Sequence, residues 1–409
     1  MKILRVIASM DPRSGGPCQG IRNTVAALSK LGVDNEVVCV DSPDSEYIRK
    51  DPFKVHALGP AANPWAYSGR LLPWLLDNVN RFDAVIVHGL WLYPSHATRK
   101  AMDALSRDGK KQIPWFVMPH GMLDPYFQDA PDRKLKAWRN KWYWRVIENK
   151  VVESATALLF TCEEELLLAR KPFFPYLPKR EVNVGYGIQP PPQHSPEMAT
   201  AFFQKTGLDE NQKYFLFLSR IHPKKGVDHL INAYREILES DERNPEKIPH
   251  LVIAGPGIET QFGKEMLSLA EKNEKFKSRI IFPGMLSGDA KWGAFYNCEA
   301  FILPSHQENF GIAVVEALAC GKPVLISDKI NIWREIAGAN AGIIGTDTQK
   351  GTSETLKKWI DFSDEDKDTS ARNAFNAYDT HFRIEKNIIT LIKTLRPNFV
   401  VETTSHKNA

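Results

Sequence analysis

Short apolar runs alternate with longer segments of helical periodicity along most of the chain. Runs rich in Val, Ile and Leu are typical of strands that are buried on both faces of a parallel sheet. The predicted strands are residues 3–8, 36–40, 84–88, 115–119, 157–161, 214–219, 251–254, 280–282, 300–303 and 324–327. The pattern therefore predicts an α/β protein in which strands and helices alternate.

One Pro-rich segment divides this series in two. Residues 189–196 read QPPPQHSP, and proline interrupts both helices and strands. The division predicts two α/β halves. Each half would be an open sheet that binds its ligand at the C-terminal ends of its strands.

Length, charge and cysteine content narrow the class of protein. The 409 residues suit two or three domains, and a net charge of +4 does not favour a general nucleic-acid binder. The five cysteines are scattered without a CxxC pair, which predicts free thiols in a reducing compartment and no zinc site. The first residues, MKILRVIASM, are predicted to form a strand and not a signal peptide. No apolar stretch approaches the roughly 18 residues of a membrane span, so a cytoplasmic protein is expected.

The most informative stretch is residues 305–317, SHQENFGIAVVEA. An apolar strand precedes it and a helix is predicted to begin within it, so free backbone N–H groups at the helix start can bind an anion. Glu308 and Glu316 flank that position, and carboxylates accept hydrogen bonds from sugar and ribose hydroxyls. The layout fits a ligand with a diphosphate between two hydroxyl-rich groups, such as a nucleotide sugar.

Cations follow the first strand of the second half. Arg220 comes directly after that strand, and Lys225 lies on the next turn. Together they could neutralise a diphosphate, both when it is bound and as it leaves. A solvated basic turn is the alternative, and both interpretations remain open.

Glycines mark two further strand-to-helix turns. Gly15 and Gly16 precede a predicted helix and allow a phosphate to approach its N-terminus, although an ordinary Gly-rich turn is the simpler interpretation. Gly255 begins half of a GxGxxG pattern that Pro256 completes poorly. We interpret it as a turn close to the ligand and not as a dinucleotide fingerprint.

Residues that follow two strands of the first half are candidates for sugar contacts. His120 could hydrogen-bond a hydroxyl or stabilise developing charge, or it could be a structural histidine. Trp91 could stack on a sugar, although a core position is the commoner role for an aromatic residue. Asp124 could face an acceptor, and a turn-forming role is equally consistent with its sequence context.

Residues 133–145, RKLKAWRNKWYWR, combine six cations with three tryptophans and a tyrosine. A basic helix with interfacial aromatics suits an anionic membrane surface, and a solvated helix with aromatics facing the core is the alternative. The DxD-like Asp364-Glu365-Asp366 lies in a polar run, so it predicts a solvated helix start and not a metal site.

Taken together, these motifs resemble glycosyltransferase family 4, the retaining enzymes of the GT-B fold. The resemblance covers nearly the whole chain and is strongest over residues 214–326, where SRIHPKKGVDHLI, AGPG, FPGML and LPSHQENFGIAVVEALACGKPVLIS follow the family's order. HGLW at 88–91 and PHGMLDP at 119–125 resemble members that build exopolysaccharides and lipid-linked oligosaccharides.

The resemblance implies two Rossmann-like domains that face each other across a cleft. The expected limits are 1–190 for an acceptor-side domain, 198–380 for a nucleotide-sugar-binding domain, and 381–397 for a helix that crosses back. It also implies a nucleotide-sugar donor, with UDP-glucose preferred, and a glycan or lipid-linked acceptor. No nucleic-acid partner and no essential metal are expected, and peripheral contact with the inner face of the plasma membrane through residues 133–145 remains open.

The same resemblance assigns roles to individual residues. Glu316 would bind the ribose, Glu308 the donor sugar, and Arg220 with Lys225 the diphosphate as leaving group. His120 would contact the donor sugar near the reacting carbon. The remaining implied donor contacts are Gly15, Gly16, Gly255, Asn309, Phe310, Gly311 and Ile312, and the acceptor-side candidates are Trp91 and Asp124.

Three other functions remain open on the sequence alone. A sugar-nucleotide epimerase shares the fold but needs no acceptor, and Glu308, Glu316 and the SRIHPKKG run argue against it. A non-catalytic nucleotide-sugar-binding subunit of a polysaccharide assembly complex is disfavoured because the charged motif positions are all filled. A lipid-surface binding protein would rest on residues 133–145 alone.

Overall fold

The computed structural model describes residues 1–109, 112–129, 134–240, 248–272 and 274–397. Within it the chain forms two compact units. Residues 1–187 and the described residues from 384 to 397 make up the first unit, and residues 188–383 make up the second.

The first unit is built on a seven-stranded sheet in the order β3-β2-β1-β4-β5-β6-β7, and its neighbouring strands pair in parallel. The strands are β1 (Lys2–Ile7), β2 (Asp34–Cys39), β3 (Lys54–Ala57), β4 (Ala84–His88), β5 (Trp115–Met118), β6 (Ala157–Phe160) and β7 (Glu181–Asn183). The helices are α1 (Gly16–Ser29), α2 (Glu46–Arg49), α3 (Leu71–Asn78), α4 (Tyr93–Arg107), α5 (Tyr126–Asp129), α6 (Lys134–Tyr143), α7 (Asn149–Ser154) and α8 (Glu163–Ala169). A π-helical segment, Trp144–Glu148, joins α6 to α7.

The second unit is built on a six-stranded parallel sheet in the order β10-β9-β8-β11-β12-β13. Its strands are β8 (Tyr214–Leu218), β9 (His250–Ala254), β10 (Ile280–Gly284), β11 (Ala300–Leu303), β12 (Val324–Ser327) and β13 (Gly342–Gly345). Its helices are α9 (Pro196–Thr206), α10 (Val227–Ser240), α11 (Gln261–Glu271), α12 (Glu274–Lys277), α13 (Gly288–Asn297), α14 (Ile312–Ala319), α15 (Trp333–Gly338), α16 (Gln349–Ile360) and α17 (Asp364–Ala377).

The last helix, α18 (Ile384–Leu395), belongs to the first unit. Its apolar face packs into a core shared by α1 and strands β1, β4, β5 and β6. Gly187 allows the chain to pass close to the start of this helix, because a Cβ there would lie 2.4 Å from the Cα of Ile384.

The ten predicted strands are all present, which confirms the prediction of two Rossmann-like α/β units, each built on a parallel sheet. Three strands, β3, β7 and β13, were not predicted. Each lies at the edge of its sheet and is short, and most of its residues are only half-buried, so no continuous apolar run marks it.

Two smaller predictions are also decided. The DxD-like triplet begins α17, where Ser363 and Asp366 form a reciprocal capping box, so the predicted helix start is confirmed. The five cysteines are free, as the sequence predicts. Among the described residues, no helix is both long and apolar enough to cross a bilayer.

Candidate functional site

In the second unit, the loop between β11 and α14 is fixed by the loops of both neighbouring strands. Ser305 Oγ and the backbone N–H of His306 donate to the carbonyl of Lys224, at 3.0 and 2.9 Å. On the other side, the backbone N–H of Glu308 donates to Lys329 O at 2.9 Å. The loop that carries Glu308 is therefore held against the turns that follow β8 and β12.

Lys225 and Glu308, predicted separately, form an ion pair. Lys225 is buried, at 8% exposure, and it ends a tight turn that follows β8. Gly226 comes next with φ 66°, and a Cβ on it would lie only 2.2 Å from Pro304 O. A glycine is needed there because the turn lies directly against the end of β11.

Glu316 is paired as well, with a lysine that the sequence did not single out. Its Oε1 accepts a hydrogen bond from Lys291 Nζ of α13 at 2.6 Å, and the ammonium lies 4.6 Å from the ring centre of Trp292. Burial raises the pKa of Glu316, and the charge of Lys291 opposes that rise. Lys291 is 25 positions away in an ordinary helical stretch, so only the tertiary structure reveals the pair.

Arg220 extends the cationic character of the turn after β8. Its side chain is exposed, and within the described ranges it takes part in no ion pair. Burial, followed by the charges of Arg220, Lys224 and Lys225, lowers the pKa of His222. The turn therefore presents a positive field next to Glu308, and Arg220 keeps a free guanidinium that can bind an anion.

The N-terminus of α14 supplies backbone donors between the two carboxylates. Gly311 is its N-cap with φ 76°, and no side chain caps it. The N–H groups of Ile312 and Ala313 have no intrahelical acceptor at this position. The side chain of Phe310 is 6% exposed and packs edge-on against Phe382, so this residue can offer a ligand only its backbone.

Two other predicted donor residues lie on neighbouring turns. Asn309 accepts a long hydrogen bond, 3.5 Å, from the side chain of Asn331. Gly255 directly follows β9 with φ 145°, and a Cβ on it would lie 1.9 Å from Ser219 O. That close approach brings the end of β9 next to the residue that precedes Arg220.

In the first unit, α1 begins with an open N-terminus. Gly15 is its N-cap with φ 93° and no side-chain cap, and both Gly15 and Gly16 are exposed. A Cβ on either glycine would meet no atom within 4 Å. Room for an anion therefore exists at this helix start.

His120 follows β5 and joins a buried relay across three strands. Arg5 of β1 bonds Asn35 Oδ1 through Nε at 2.9 Å and lies 3.2 Å from His88 Nε2 through Nη1. His88 Nδ1 lies 2.9 Å from His120 Nε2. Because arginine only donates, His88 Nε2 accepts, and neutral His88 carries its proton on Nδ1. His120 Nε2 is then an acceptor, and a neutral His120 carries its proton on Nδ1.

The relay keeps both imidazoles neutral. Burial lowers the pKa of His88, with the neighbouring charges of His120 and Arg5 as further causes. Burial and then the charge of Arg5 lower the pKa of His120 to about 3. Arg5 itself has its pKa lowered by burial to about 10 and remains cationic at neutral pH. His120 can therefore donate from Nδ1 without carrying a positive charge.

The backbone around His120 and Trp91 is strained and firmly held. Their φ angles are 54° and 71°, a region that non-glycine residues rarely adopt. Buried Glu165 accepts from the N–H of Gly121 at 2.6 Å, and buried Glu148 accepts from the N–H of Trp91 at 2.8 Å. Sequence analysis missed both glutamates, because a buried acid that binds a distant backbone has no local signature.

The two acceptor-side candidates have structural contacts of their own. The indole of Trp91 donates to Met122 O at 3.2 Å and lies 5.0 Å from the ring of Phe173. Asp124 is 7% exposed and accepts from the N–H of Tyr126 at 2.9 Å, as a turn-forming aspartate does. Neither side chain is freely presented to a ligand.

Each unit matches a glycosyltransferase family model. Residues 198–379 match the family "Glycosyl transferases group 1", and residues 15–184 match "Glycosyl transferase 4-like domain". The chain belongs to the family-4-like glycosyltransferases of the GT-B fold. The two matches together cover the loops that carry the candidate residues and every strand of the two sheets except β1.

Individual relatives are similar over shorter stretches. An uncharacterized glycosyltransferase of Methanocaldococcus jannaschii is 32% identical over 126 residues, which are 31% of this chain and 30% of that protein. A D-inositol 3-phosphate glycosyltransferase of Gordonia bronchialis is 29% identical over 140 residues, or 34% and 30% of the two chains. The chain thus spans about a third of the length of these curated relatives.

Among solved structures, Anabaena HepE in complex with UDP-glucose superimposes with a TM-score of 0.70. The match covers 97% of this chain and 99% of that one, at 17% sequence identity. At this identity the similarity shows a common fold.

Proposed function

We propose that this glycosyltransferase-family protein transfers a hexose from a nucleoside diphosphate sugar, with UDP-glucose as the preferred donor, to a glycan or lipid-linked saccharide. The transfer would retain the anomeric configuration and serve exopolysaccharide or cell-envelope polysaccharide synthesis. The observation that carries the proposal is the open N-terminus of α14, flanked by the paired carboxylates of Glu308 and Glu316. Similarity to HepE, whose complex holds UDP-glucose, supports the choice of donor.

Each charged group then has a defined task. Glu316 accepts from the ribose hydroxyls, and Glu308 accepts from the donor sugar. As the bond between the anomeric carbon and the diphosphate oxygen breaks, negative charge develops on the diphosphate. Arg220, Lys225 and the N–H groups of α14 stabilise that charge. The acceptor hydroxyl attacks from the same face, and the departing phosphate takes its proton.

The first unit contributes neutral donors in this scheme. Gly15 and Gly16 leave room for a phosphate at the start of α1. His120, held neutral by the relay, would donate from Nδ1 to the donor sugar near the reacting carbon. No metal ion is required for these steps, because the cations and helix N-terminus supply the positive charge.

Ligand-induced stabilisation tests the donor assignment. A panel of UDP-, GDP-, ADP- and CMP-sugars would be compared on the wild type and on Glu316→Ala. Saturation at about a hundred times the dissociation constant raises the free energy of unfolding by about 2.7 kcal/mol. We expect a shift with one nucleotide class on the wild type that is lost in Glu316→Ala. No shift with any donor would contradict the proposal.

Product analysis separates transfer from the rival functions. A transferase releases free nucleoside diphosphate in proportion to added acceptor. An epimerase would convert the donor without an acceptor, and a binding subunit would show a thermal shift without turnover.

We further propose peripheral contact with an anionic membrane through one face of the first unit, here called the aromatic face. Its apolar side chains line one groove and are all more than half exposed: Trp138, Trp142 and Phe174. Leu135, Val146 and Leu177, which are close to them in sequence, are more than half exposed as well. Exposed cations lie between them in sequence: Lys136, Arg139, Lys141 and Arg145. Arg133 and the side chain of Lys134 lie outside the described residues.

The structure divides the predicted stretch between two roles. Trp144 is 1% exposed and donates to Pro175 O at 2.8 Å, so it belongs to the core. Trp138 and Trp142 are 66% and 57% exposed and line a groove of about 500 Å³ together with Phe174. Exposed tryptophans beside cations are the groups that insert at a lipid interface.

Vesicle flotation tests the aromatic face. Binding to anionic vesicles should fall at least tenfold in Trp138→Ser/Trp142→Ser, because two interfacial anchors are removed. Phe375→Ser is the matched control, since Phe375 is an exposed aromatic of the second unit, at 47% exposure. Equal binding by the double variant and the wild type would rule out this face as the contact.

A further inference from the structure

A cluster of histidine and aspartate lies beside the candidate donor loops and has no role in the proposed reaction. Asp228 and His229 lie at the start of α10, and His306 lies on the loop after β11. One possible ligand atom from each of the three lies within 4.8 Å of the others. The two imidazole rings meet edge to face, with centres 4.9 Å apart and an angle of 90°.

The cluster contains polar atoms that the protein does not satisfy. Within the described chain, the buried Oδ1 of Asp228 and the buried Nδ1 of His229 have no hydrogen-bond partner. Asp228 Oδ2 and His229 Nε2 are 3.8 Å apart, which is too far for a hydrogen bond. Buried polar atoms without partners are uncommon, and a bound ion is one recognised explanation.

A fourth residue orients the cluster as an outer-shell ligand would. Asp347 Oδ2 lies 3.1 Å from His306 Nδ1. This contact leaves Nε2 of His306 as the ring nitrogen available to a metal. A carboxylate behind a histidine is the usual second-shell partner of a zinc ligand. The two carboxylates also supply the negative charge that would balance a divalent cation.

We propose that Asp228, His229 and His306 bind a divalent transition metal, with Zn²⁺ the preferred ion. Two imidazoles and a carboxylate suit zinc, and three protein ligands leave a fourth position for water. The sequence-based expectation of no zinc site rested on the cysteines, whereas these ligands come from the first turn of α10 and the loop after β11, which only the fold brings together.

The ion would link the two segments of chain that carry the donor-binding charges. Asp228 lies three residues after Lys225, and His306 lies two residues before Glu308. The loops already share hydrogen bonds from Ser305 and His306 to Lys224 O. By holding these two segments together, the metal would keep the Lys225–Glu308 ion pair in position. It would take no part in breaking the bond to the diphosphate. The site would exist whether or not the protein transfers sugar.

Metal content and stabilisation test the proposal directly. Full-length, tag-free protein would be stripped with a chelator, titrated with ZnCl₂, and assayed by elemental analysis and thermal unfolding. We expect one zinc per chain in the wild type and a raised Tm. His229→Gln and His306→Gln should each lose the bound ion. His194→Gln, an exposed histidine outside the cluster, should keep it.

Two further results decide between a metal site and a structural hydrogen-bond cluster. Asp347→Asn should weaken zinc binding about 10- to 100-fold while the protein stays folded, as expected for a second-shell residue. Less than stoichiometric zinc in the wild type, or unchanged zinc binding in His229→Gln, would overturn the proposal. Both readouts are independent of transferase activity.

Discussion

Both units carry their candidate groups on loops that follow parallel strands, but the groups of the two units differ in charge. In the second unit the groups are charged and paired, Lys225 with Glu308 and Lys291 with Glu316. In the first unit His120 is neutral, held by a buried relay that ends on Arg5. The paired charges of the second unit suit binding of an ionic diphosphate, and the neutral histidine of the first unit suits a hydrogen bond to a hydroxyl.

The difference shows two ways in which the protein accommodates a buried or partly buried ionisable group. A paired charge can remain ionised when partly buried, because its partner offsets the desolvation. In the first unit, His120 and Glu148 form no ion pair within the described residues, and their protonation changes instead, as the lowered pKa of His120 and the raised pKa of Glu148 show. Variants that remove one partner or one charge therefore sharpen the comparison.

Lys225→Met should have the largest effect on turnover. It removes a cation from the leaving group and leaves Glu308 without its partner, so kcat should fall a hundredfold or more. Steady-state kinetics with the identified donor measures this, with Lys264→Met, an exposed lysine on α11, as control. A kcat near that of the wild type would show that the pair serves only folding.

Glu148→Gln should change how stability depends on pH. Burial raises the pKa of Glu148 from its ordinary value of 4.5 to about 7. Between these values the folded state binds more protons than the unfolded state, so the free energy of unfolding falls as pH rises. At about 1.4 kcal/mol per pKa unit, this shift corresponds to roughly 3.5 kcal/mol.

The variant should flatten that part of the stability curve, measured by urea unfolding between pH 4.5 and 7. Glu163→Gln is the matched control, since Glu163 is exposed. If Glu148→Gln keeps the slope of the wild type, the carboxyl is ionised in the folded protein.

Lys291→Met should weaken donor binding with a smaller effect on chemistry. Without the ammonium, the pKa of buried Glu316 rises further, because desolvation is no longer opposed. A protonated Glu316 is a poorer acceptor, and losing a charged hydrogen bond corresponds to about tenfold in affinity. Ligand-induced thermal shifts would give the dissociation constant, with Lys358→Met, an exposed lysine of α16, as control. A fall in kcat at unchanged affinity would speak against the ribose role.

Arg5→Met should produce the smallest change, visible in the pH profile. Removing the cation raises the pKa of His120, because a nearby positive charge no longer opposes its protonation, although burial still holds that pKa below its ordinary value. The acid limb of kcat/KM should move to higher pH by the same amount. Arg5→Lys, which keeps a positive charge and a donor, should restore the original profile. If the acid limb of kcat/KM is the same in the wild type and in Arg5→Met, Arg5 does not influence the pKa of His120.

The sequence was sufficient where the deciding pattern is local. The apolar runs give ten of the strands, because a strand buried on both faces needs a continuous series of such residues. The order of strand, turn and helix around Gly311 indicates a helix N-terminus between two acids, because that order is also visible in the local sequence. The weak edge strands β3, β7 and β13 escaped because few of their side chains are buried.

Only the tertiary structure decided which distant side chains meet. Arg5 and His88 lie on neighbouring strands of the sheet, and His120 follows the next strand. Arg5 and His88 are nevertheless 83 positions apart along the chain. Lys291 reaches Glu316 from another helix, and Asp347 reaches His306 across 41 positions. Such contacts depend on sheet order and helix packing, which no local pattern encodes, and they set the protonation state and charge of each group. The sequence alone thus determined the family and the positions of ten strands, whereas the fold determined which side chains are paired, neutral or free to bind a ligand.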